Sequence, residues 1–288
     1  MKSSTNGQAN RLTVRLRIAV VRDVTYRIVI AGVRLMFRAL GLRITVLGAE
    51  HVPRHGGAVL ASNHVSYLDF TFVGLAGRAQ GRFVRFMSKE AVFDPPLVGT
   101  IMRAMGHIPV DRSNGVAALR SGVRKARAGE VVGVFPEATI SRSYTIKETK
   151  PGAAAIAIWE QVPLVPVVVW GSQRILTTGP RWSLRRGKAL TILVGEPMHP
   201  TRDADPYAVT RDLHARLEGL LEQAMDGYPD VPRTAADRWW LPATRGGAAP
   251  TRAVAGELEK ASVARREAKR AEKAAEKAAE RALKAAKA

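Results

Sequence analysis

The sequence predicts an α/β fold with a mostly parallel central sheet flanked by helices. Short apolar runs alternate with longer amphipathic segments along the chain. That alternation is typical of βαβ units, in which a helix connects each strand to the next parallel strand. Polar side chains directly follow several of the apolar runs. Ligands of such folds bind beyond the carboxyl ends of the strands, so these side chains form the candidate site.

The predicted strands are short apolar runs rich in Val, Ile and Leu, which suit buried extended structure. They are Arg43–Val46, Ala58–Ala61, Arg82–Met87, Ile108–Val110, Val131–Phe135, Pro163–Val169 and Ala189–Val194. The helices between them show apolar residues at helical spacing, and Pro, Ser or Gly marks several of their ends. They are 70–79, Leu97–Met105, 114–128, Pro151–Trp159 and Pro206–Met225. These elements assign residues 44–228 to one α/β domain.

Residues 1–43 are predicted to form amphipathic helices that lie on a membrane surface. The segment is apolar but carries nine basic residues and one acid. Its arginines form two stripes on a helical wheel, which indicates two helices, or one helix broken near residues 23–25. The stripes are Arg11, Arg15 and Arg22, then Arg27, Arg34 and Arg38. An almost purely cationic polar face favours an anionic membrane interface, and packing of the apolar face on the domain is the alternative.

The C-terminal end of the chain has a different composition. Residues 229–255 are rich in Pro, Gly and Ala, which predicts a linker or an arm. They include Trp239 and Trp240, a pair that suits either a membrane interface or a cover for the domain. Residues 256–288 repeat Ala, Lys, Glu and Arg with almost no apolar face. That pattern predicts a solvated helix or a disordered basic tail.

Composition excludes several kinds of site. The chain of 288 residues has no Cys, which excludes a thiol nucleophile, a disulfide and a Cys-ligated metal. Its longest uncharged stretch, His55–Leu68, is shorter than the about 20 apolar residues that a membrane span needs. No signal peptide is predicted, because Arg interrupts the N-terminal apolar segments. The net charge of +20 indicates an anionic partner, either nucleic acid or a membrane surface.

The stretch from Asn63 to Asp69 follows a predicted buried strand and holds the candidate catalytic pair, His64 and Asp69. In extended chain the two side chains would lie roughly 16 Å apart, so the backbone must turn to bring them together. A paired His and Asp suit a general base and its orienting carboxylate. Donors near this turn, which the sequence does not identify, are candidates to stabilise an oxyanion. The alternative is a His at a strand end, with Asp69 as a helix N-cap or a surface acid.

Three later strand ends complete an ordered set of motifs. Residues 106–112 read Gly-His-Ile-Pro-Val-Asp-Arg, residues 135–139 read Phe-Pro-Glu-Ala-Thr, and residues 162–169 form a Val- and Pro-rich run. Because parallel strands end at one edge of the sheet, a base, a cation and a carboxylate are expected to meet there. Together with the His64–Asp69 pair, these stretches resemble in order the four motifs of the 1-acylglycerol-3-phosphate acyltransferase family.

The third motif departs from the family pattern Phe-Pro-Glu-Gly-Thr-Arg-Ser. Ala138 and Ile140 stand in place of its Gly and Arg. Arg142, Lys147 and Lys150 are the candidates to replace that arginine. The departure leaves open how the phosphate of the acceptor is held, and therefore which acceptor is used.

The resemblance, which covers residues 45–200, implies acyl transfer from acyl-CoA to the free hydroxyl of lysophosphatidic acid, giving phosphatidic acid. His64 would take the hydroxyl proton, and Asp69 would hold the other ring nitrogen. No cofactor or metal is expected beyond the acyl-CoA donor. A peripheral position on the cytoplasmic face of the cell membrane is expected, with an anionic membrane surface as a partner.

The resemblance also implies substrate-binding residues. They are Arg112, Glu137, Thr139, Arg142 and Lys89. Arg112 would grip a phosphate through its planar fork, with a salt bridge to Asp111 or Glu137 as the alternative. Glu137 would orient the glycerol hydroxyls of the acceptor or Arg112, or else partner a helix N-terminus. Thr139 would donate to the phosphate or act as a turn residue, and Lys89 matches a family lysine or is simply solvated.

Two other functions stay open. One is the same chemistry on another lysolipid or a glycerol phosphate acceptor. The other is a non-enzymatic basic protein that binds nucleic acid or acts as a scaffold through its tails, which needs neither His64 nor Asp69. Nucleic acid is not expected as a partner of the acyltransferase. The remaining histidines are interpreted as structural: His51, His55, His107, His199 and His214.

Overall fold

Seven strands form one sheet in the computed structural model, which describes residues 23–111, 115–179 and 182–286. The strands are β1 (Arg43–Leu47), β2 (Ala58–Ser62), β3 (Val84–Lys89), β4 (Ile108–Val110), β5 (Val131–Val134), β6 (Leu164–Trp170) and β7 (Ala189–Val194). Their order across the sheet is β1-β7-β6-β2-β5-β3-β4. The five strands from β6 to β4 run parallel, whereas β7 is antiparallel to β6 and parallel to β1. The predicted α/β class with a mostly parallel sheet is confirmed.

Helices flank the sheet between the strands. Within the described residues they are α1 (23–39), α2 (Asp69–Ala79), α3 (Pro96–Ala104), α4 (Gly115–Arg127), α5 (Gly152–Glu160), α6 (Pro206–Asp226) and α7 (Arg252–Ala286). The start of α6 illustrates how local sequence sets a helix end, because Pro206 occupies its first turn and Asp205 is its N-cap. The Asp205 carboxylate accepts hydrogen bonds of 3.0 Å from the amides of Tyr207 and Ala208.

The core lies on the central strands. Every residue of β2 and β6 is buried, as expected for parallel strands that are covered on both faces. Gly133 in β5 allows close packing there, because a Cβ at this position would lie 2.4 Å from the Phe86 ring. Edge strand β1 instead alternates between exposed and half-buried residues. The carboxyl ends of β2, β5 and β3 therefore rest on a rigid, close-packed base.

Helix α1 packs one face on the domain. The Tyr26 hydroxyl donates to the Val84 carbonyl at 2.9 Å, and the Phe37 ring stacks on Phe72 with centroids 4.7 Å apart. Asp23 forms an ion pair with the buried Arg85 of β3. Packing on the domain, which the sequence left as an alternative, is thus observed for this face. The first arginine stripe lies outside the described residues: Arg11, Arg15 and Arg22.

A second face of α1 is exposed. Its apolar members are Val24, Ile28 and Leu35, and the arginines of the second stripe are exposed beside them: Arg27, Arg34 and Arg38. None of the helices in the described part of the chain has the length and apolar character that a membrane span requires.

The chain divides into two units. The first comprises the described residues up to Ser141 together with Ile146–Arg233, and the second comprises Arg142–Thr145 and the residues from Thr234 onward. In the second unit, two 3-10 turns precede α7 within the stretch predicted as a linker or arm. Trp240 is only 3% exposed there, which removes it as an exposed membrane anchor. Of the two predicted forms of the C-terminal tail, the structure has the helix.

Candidate functional site

Asn63 fixes the point at which the chain leaves the sheet. It follows the last residue of β2, and its side chain is buried against the neighbouring strand β6. The Asn63 amide nitrogen donates to the Val169 carbonyl at 3.0 Å, while its amide oxygen accepts from the Val169 amide at 2.8 Å. These two bonds fix the Asn63 side chain against β6 at the carboxyl edge of the sheet, where the chain leaves β2.

The turn brings His64 and Asp69 into contact. The His64 Nδ1 atom lies 2.9 Å from Asp69 Oδ2, within hydrogen-bond distance. The same Oδ2 atom accepts from the backbone amides of Val65 and Ser66, each at 2.7 Å. Asp69 is the first residue of α2 and is not its N-cap, which is Leu68. The carboxylate therefore closes the turn that precedes the helix, and the predicted pairing with His64 is present.

Asp69 is fully buried and has a fourth hydrogen-bond partner. The Ser172 hydroxyl donates to Asp69 Oδ1 at 2.6 Å from the 3-10 turn that follows β6. A buried carboxylate with four donors is well satisfied, because charged hydrogen bonds offset the loss of hydration. Sequence reasoning missed Ser172. Its signal was a polar residue directly after the Val- and Pro-rich strand, at the same sheet edge as the other motifs.

The His64 ring packs on a neighbouring aromatic ring and is partly exposed to solvent. It stacks on Phe135 of the third motif, with centroids 4.3 Å apart and planes 23° apart. Its side chain is 20% exposed. The carboxylate beside Nδ1 favours the tautomer that carries its proton there and leaves Nε2 as the acceptor.

The turn of residues 63–69, which carries the candidate catalytic pair, is called the catalytic turn below. The backbone amides of its residues 64–68 all donate hydrogen bonds within the protein. The His64 amide donates to Glu137, and the Tyr67 amide donates to the Leu176 carbonyl. The Leu68 amide donates to the Ser66 hydroxyl. The amides of Val65 and Ser66 donate to Asp69. These bonds make the turn rigid. Each of these amides already has an acceptor.

Glu137 joins the third motif to the catalytic turn. It is buried, and its Oε1 accepts from the His64 amide at 2.8 Å while its Oε2 accepts from the Lys147 amide at 3.0 Å. Burial raises the pKa of this carboxyl to about 8, although the two amide bonds oppose the shift. Ser141 adds a backbone bond of 2.7 Å to the His64 carbonyl. The expected contact of Glu137 with the acceptor stays a prediction, and backbone support of His64 is the role its contacts describe.

The loop after Glu137 brings a cation and a hydroxyl together. Lys147 Nζ donates to the Thr139 hydroxyl. Ala138, in place of the family's Gly, has a φ of 61°, in the left-handed region that disfavours side chains. Lys147 was one of the candidates to replace the missing arginine of the third motif. The structure thus joins Thr139 and Lys147 in a loop that is itself bonded to the catalytic turn.

The other predicted binding residues belong to different parts of the chain. Lys89 ends β3, two strands from β2 in the sheet, and is half-buried. Arg142 belongs to the second unit. Arg112 lies outside the described residues. Among the residues with described positions, no group of three or more His, Cys, Asp or Glu side chains is placed to hold a metal ion.

His107, from the second motif, has a structural environment. Its Nδ1 accepts from the Phe86 amide at 3.0 Å, and the ring is buried beside Tyr26 and Phe86. Burial, together with the nearby charges of Arg85 and Lys125, lowers the pKa of His107 to about 3. A histidine with so low a pKa is a poor proton acceptor near neutral pH, and its interpretation as a structural residue agrees with its contacts.

Comparison with known proteins identifies relatives of the sheet and its motifs. A family model described as Acyltransferase matches residues 43–170. A chloroplastic 1-acyl-sn-glycerol-3-phosphate acyltransferase from Arabidopsis thaliana is 30% identical over 165 residues, which cover 56% of this chain and 45% of the relative. The 1-acyl-sn-glycerol-3-phosphate acyltransferase of Bacillus subtilis is 27% identical over 185 residues, which cover 62% of this chain and 87% of the relative. This chain thus spans under half of the plant relative's length.

The fold also has a solved counterpart. The crystal structure of a 1-acyl-sn-glycerophosphate acyltransferase from Thermotoga maritima matches with a TM-score of 0.58 at 22% identity. The match covers 74% of this chain and 81% of that chain. At this level of identity the likeness concerns the fold.

Proposed function

We propose that the chain, which belongs to the acyltransferase family, transfers a fatty acyl group from acyl-CoA to the free hydroxyl of lysophosphatidic acid and so forms phosphatidic acid. The observation that carries the proposal is the hydrogen bond between His64 and the fully buried Asp69 at the carboxyl edge of the sheet. The names of the relatives support the choice of acceptor, because both are 1-acyl-sn-glycerol-3-phosphate acyltransferases.

His64 acts as the general base. An alcohol is a poor nucleophile at neutral pH, so its proton must leave as the oxygen attacks the thioester carbonyl carbon. His64 Nε2 takes that proton, and Asp69 stabilises the imidazolium that forms. When the carbon–sulfur bond breaks, the imidazolium returns the proton to the departing thiolate of CoA. The acyl group passes directly from the thioester to the acceptor hydroxyl. The chain has no Cys to form an acyl-enzyme, and in this mechanism His64 acts as the base for the acceptor hydroxyl.

Lys147 and Thr139 bind the phosphate of the acceptor. An ammonium beside a hydroxyl offers both charge and a directed hydrogen bond to a phosphate oxygen. The loop that carries them is tied to His64 through Glu137, so a phosphate held there is at a fixed place relative to the base. Lys147 then replaces the arginine that Ile140 leaves missing. Arg112, Arg142 and Lys89 stay additional candidates for the same phosphate or for CoA.

The exposed face of α1 attaches the protein to an anionic membrane from the cytoplasmic side. Val24, Ile28 and Leu35 fall within about 40° on a helical wheel, and the exposed arginine stripe adjoins them. An apolar row beside a cationic row suits the boundary between acyl chains and head groups. Both substrates carry long acyl chains and are concentrated at such a surface.

An acceptor panel tests the function. Purified protein is incubated with one acyl-CoA and with lysophosphatidic acid, other lysolipids or glycerol 3-phosphate, and CoA release is followed with a thiol reagent. The absence of Cys removes any background from the protein. Preference for lysophosphatidic acid, lost in His64→Ala and Asp69→Asn but kept in the control His55→Ala, supports the proposal. Wild-type turnover in His64→Ala contradicts the mechanism, and preference for another acceptor contradicts the substrate.

A further inference from the structure

Exposed apolar side chains lie on the catalytic turn and in the connection that is bonded to it. Leu176, Trp182 and Leu184, in the connection between β6 and β7, are 37%, 64% and 57% exposed, and Tyr67 of the catalytic turn is 49% exposed. These four residues are called the apolar rim below. Large apolar side chains that are exposed next to one another usually mark an interaction surface, whereas single exposed apolar residues are common on any protein.

The rim is attached directly to the turn that holds the catalytic pair. The Leu176 carbonyl accepts from the Ser66 hydroxyl at 2.6 Å and from the Tyr67 amide at 3.2 Å. Leu176 also forms an isolated antiparallel bridge with Trp182. Opposed residues of such a bridge present their side chains on the same face, so Leu176 and Trp182 lie side by side. The rim therefore begins at Tyr67, three residues after His64.

A buried lysine holds the rim in shape. Lys188 Nζ donates to the carbonyls of Ser183 at 2.9 Å and Arg185 at 2.6 Å, which lie on either side of Leu184. The lysine is only 7% exposed, so its bonds are shielded from water. Trp182 and Leu184 are thus exposed by a loop whose backbone is fixed, and they do not fold back onto the domain.

The charge of this connection identifies the kind of partner. Residues 171–188 contain five basic residues and no acid. Arg185 and Arg186 are exposed next to Leu184. Trp beside Arg suits the boundary of an anionic bilayer, where the indole lies among head groups and the guanidinium meets lipid phosphates. An anionic protein partner would also suit the basic residues, but it would give no reason for the rim to lie next to the catalytic turn.

We propose that the apolar rim inserts into the interface of an anionic bilayer and opens the catalytic turn to lipid substrates there. This inference rests on the proposed acyl transfer and adds to it a membrane contact separate from α1. With the rim in the interface, His64 is set at the depth of the acceptor's free hydroxyl, and the lysolipid reaches the base without entering bulk water. The rim residues act on substrate access and take no part in proton transfer.

Fluorescence quenching tests the contact without any enzyme assay. The wild-type protein is mixed with phosphatidylglycerol–phosphatidylcholine vesicles that carry brominated acyl chains, and Trp emission is measured. Trp182→Phe is expected to lose most of the quenching. The matched control is Trp159→Phe, because Trp159 is 48% exposed on α5, which leads to the opposite, amino end of β6. Equal quenching in wild type and Trp182→Phe overturns the inference.

Kinetics test its consequence for catalysis. In Trp182→Ser/Leu184→Ser, KM for lysophosphatidic acid presented in vesicles is expected to rise about tenfold or more, since two apolar anchors are lost. Turnover of a monomeric short-chain acceptor should stay at the wild-type value, which shows that the fold is intact. Unchanged KM in vesicles overturns the inference.

Two further outcomes are separable. If the wild-type protein is inactive both on lysophosphatidic acid in vesicles and on the short-chain acceptor, the proposed function fails. The quenching result alone then decides the membrane contact. If the rim variants instead abolish a dimer that sedimentation detects without vesicles, the rim is an interface between two copies of the chain and the inference is wrong.

Discussion

The Ser172 hydroxyl donates a hydrogen bond of 2.6 Å to Asp69, 103 positions away in the sequence. It occupies Oδ1, the oxygen that faces away from His64, so it sets the angle at which the carboxylate meets the imidazole. Ser172 itself does not contact His64. It is a positioning residue that acts through Asp69.

Ser172→Ala should lower kcat by about tenfold, because loss of a hydrogen bond to a buried charge costs roughly 1.5–3 kcal/mol and part of that falls on the transition state. KM for acyl-CoA should change little. Ser172→Thr restores the hydroxyl and should recover most of the activity. The pH–rate profile of Ser172→Ala should also shift, since a less well oriented Asp69 changes the basicity of His64. An unshifted profile with kcat lost in both variants would indicate a purely structural role.

Lys147→Ala should raise KM for lysophosphatidic acid by roughly 10–100-fold, the value of a charged hydrogen bond of about 1.5–3 kcal/mol. The mutation removes the cation beside Thr139 and leaves the Lys147 backbone amide that supports Glu137. The control is Lys150→Ala, an exposed neighbour in the same loop. Steady-state kinetics with the acceptor varied at saturating acyl-CoA make the comparison. Equal KM values in the two variants would exclude Lys147 from phosphate binding.

Glu137 should make the protein less stable as pH rises from about 5 to 8. Burial raises its pKa from 4.5 to about 8, so between these values the folded state holds a proton that the unfolded state releases. Stability is therefore highest below the unfolded pKa and is lost as pH rises through the folded pKa. Urea unfolding at several pH values measures the slope. It should flatten in Glu137→Gln but not in the exposed control Glu50→Gln, and a slope unaffected by Glu137→Gln would contradict the assignment.

Ala138→Gly should stabilise the fold by about 0.5–1 kcal/mol. A left-handed residue with a Cβ costs roughly 1–2 kcal/mol, and the entropy of a glycine in the unfolded chain takes back part of the gain. Ala155→Gly is the matched control, because Ala155 lies inside α5, where glycine should destabilise by about 1 kcal/mol. The midpoints of urea unfolding compare them. Destabilisation by both changes would show that the loop does not bear this strain.

The sequence by itself determined the element order and identified His64 and Asp69 as the candidate catalytic pair. Hydrophobic periodicity is local, so the strand Ile108–Val110 and the strand Ala189–Val194 were predicted with the bounds they have. The ordered set of motifs, rather than the spacing of His64 and Asp69 alone, indicated their partnership. The sequence left two interpretations of the N-terminal segment, a membrane-surface helix and a helix packed on the domain, because an exposed apolar face and a packed one share the same pattern. The structure shows both faces in one helix.

Only the tertiary structure decided which groups support that pair. Ser172, Glu137 and Lys147 reach the site through strand register and loop closure, which join residues far apart and which no local pattern encodes. The antiparallel direction of β7 is equally non-local, because it depends on how the connection after β6 folds back. The candidate pair was therefore readable along the chain, while the groups that support it, the contact between Lys147 and Thr139, and the exposed rim follow from contacts that form only when the sheet is assembled.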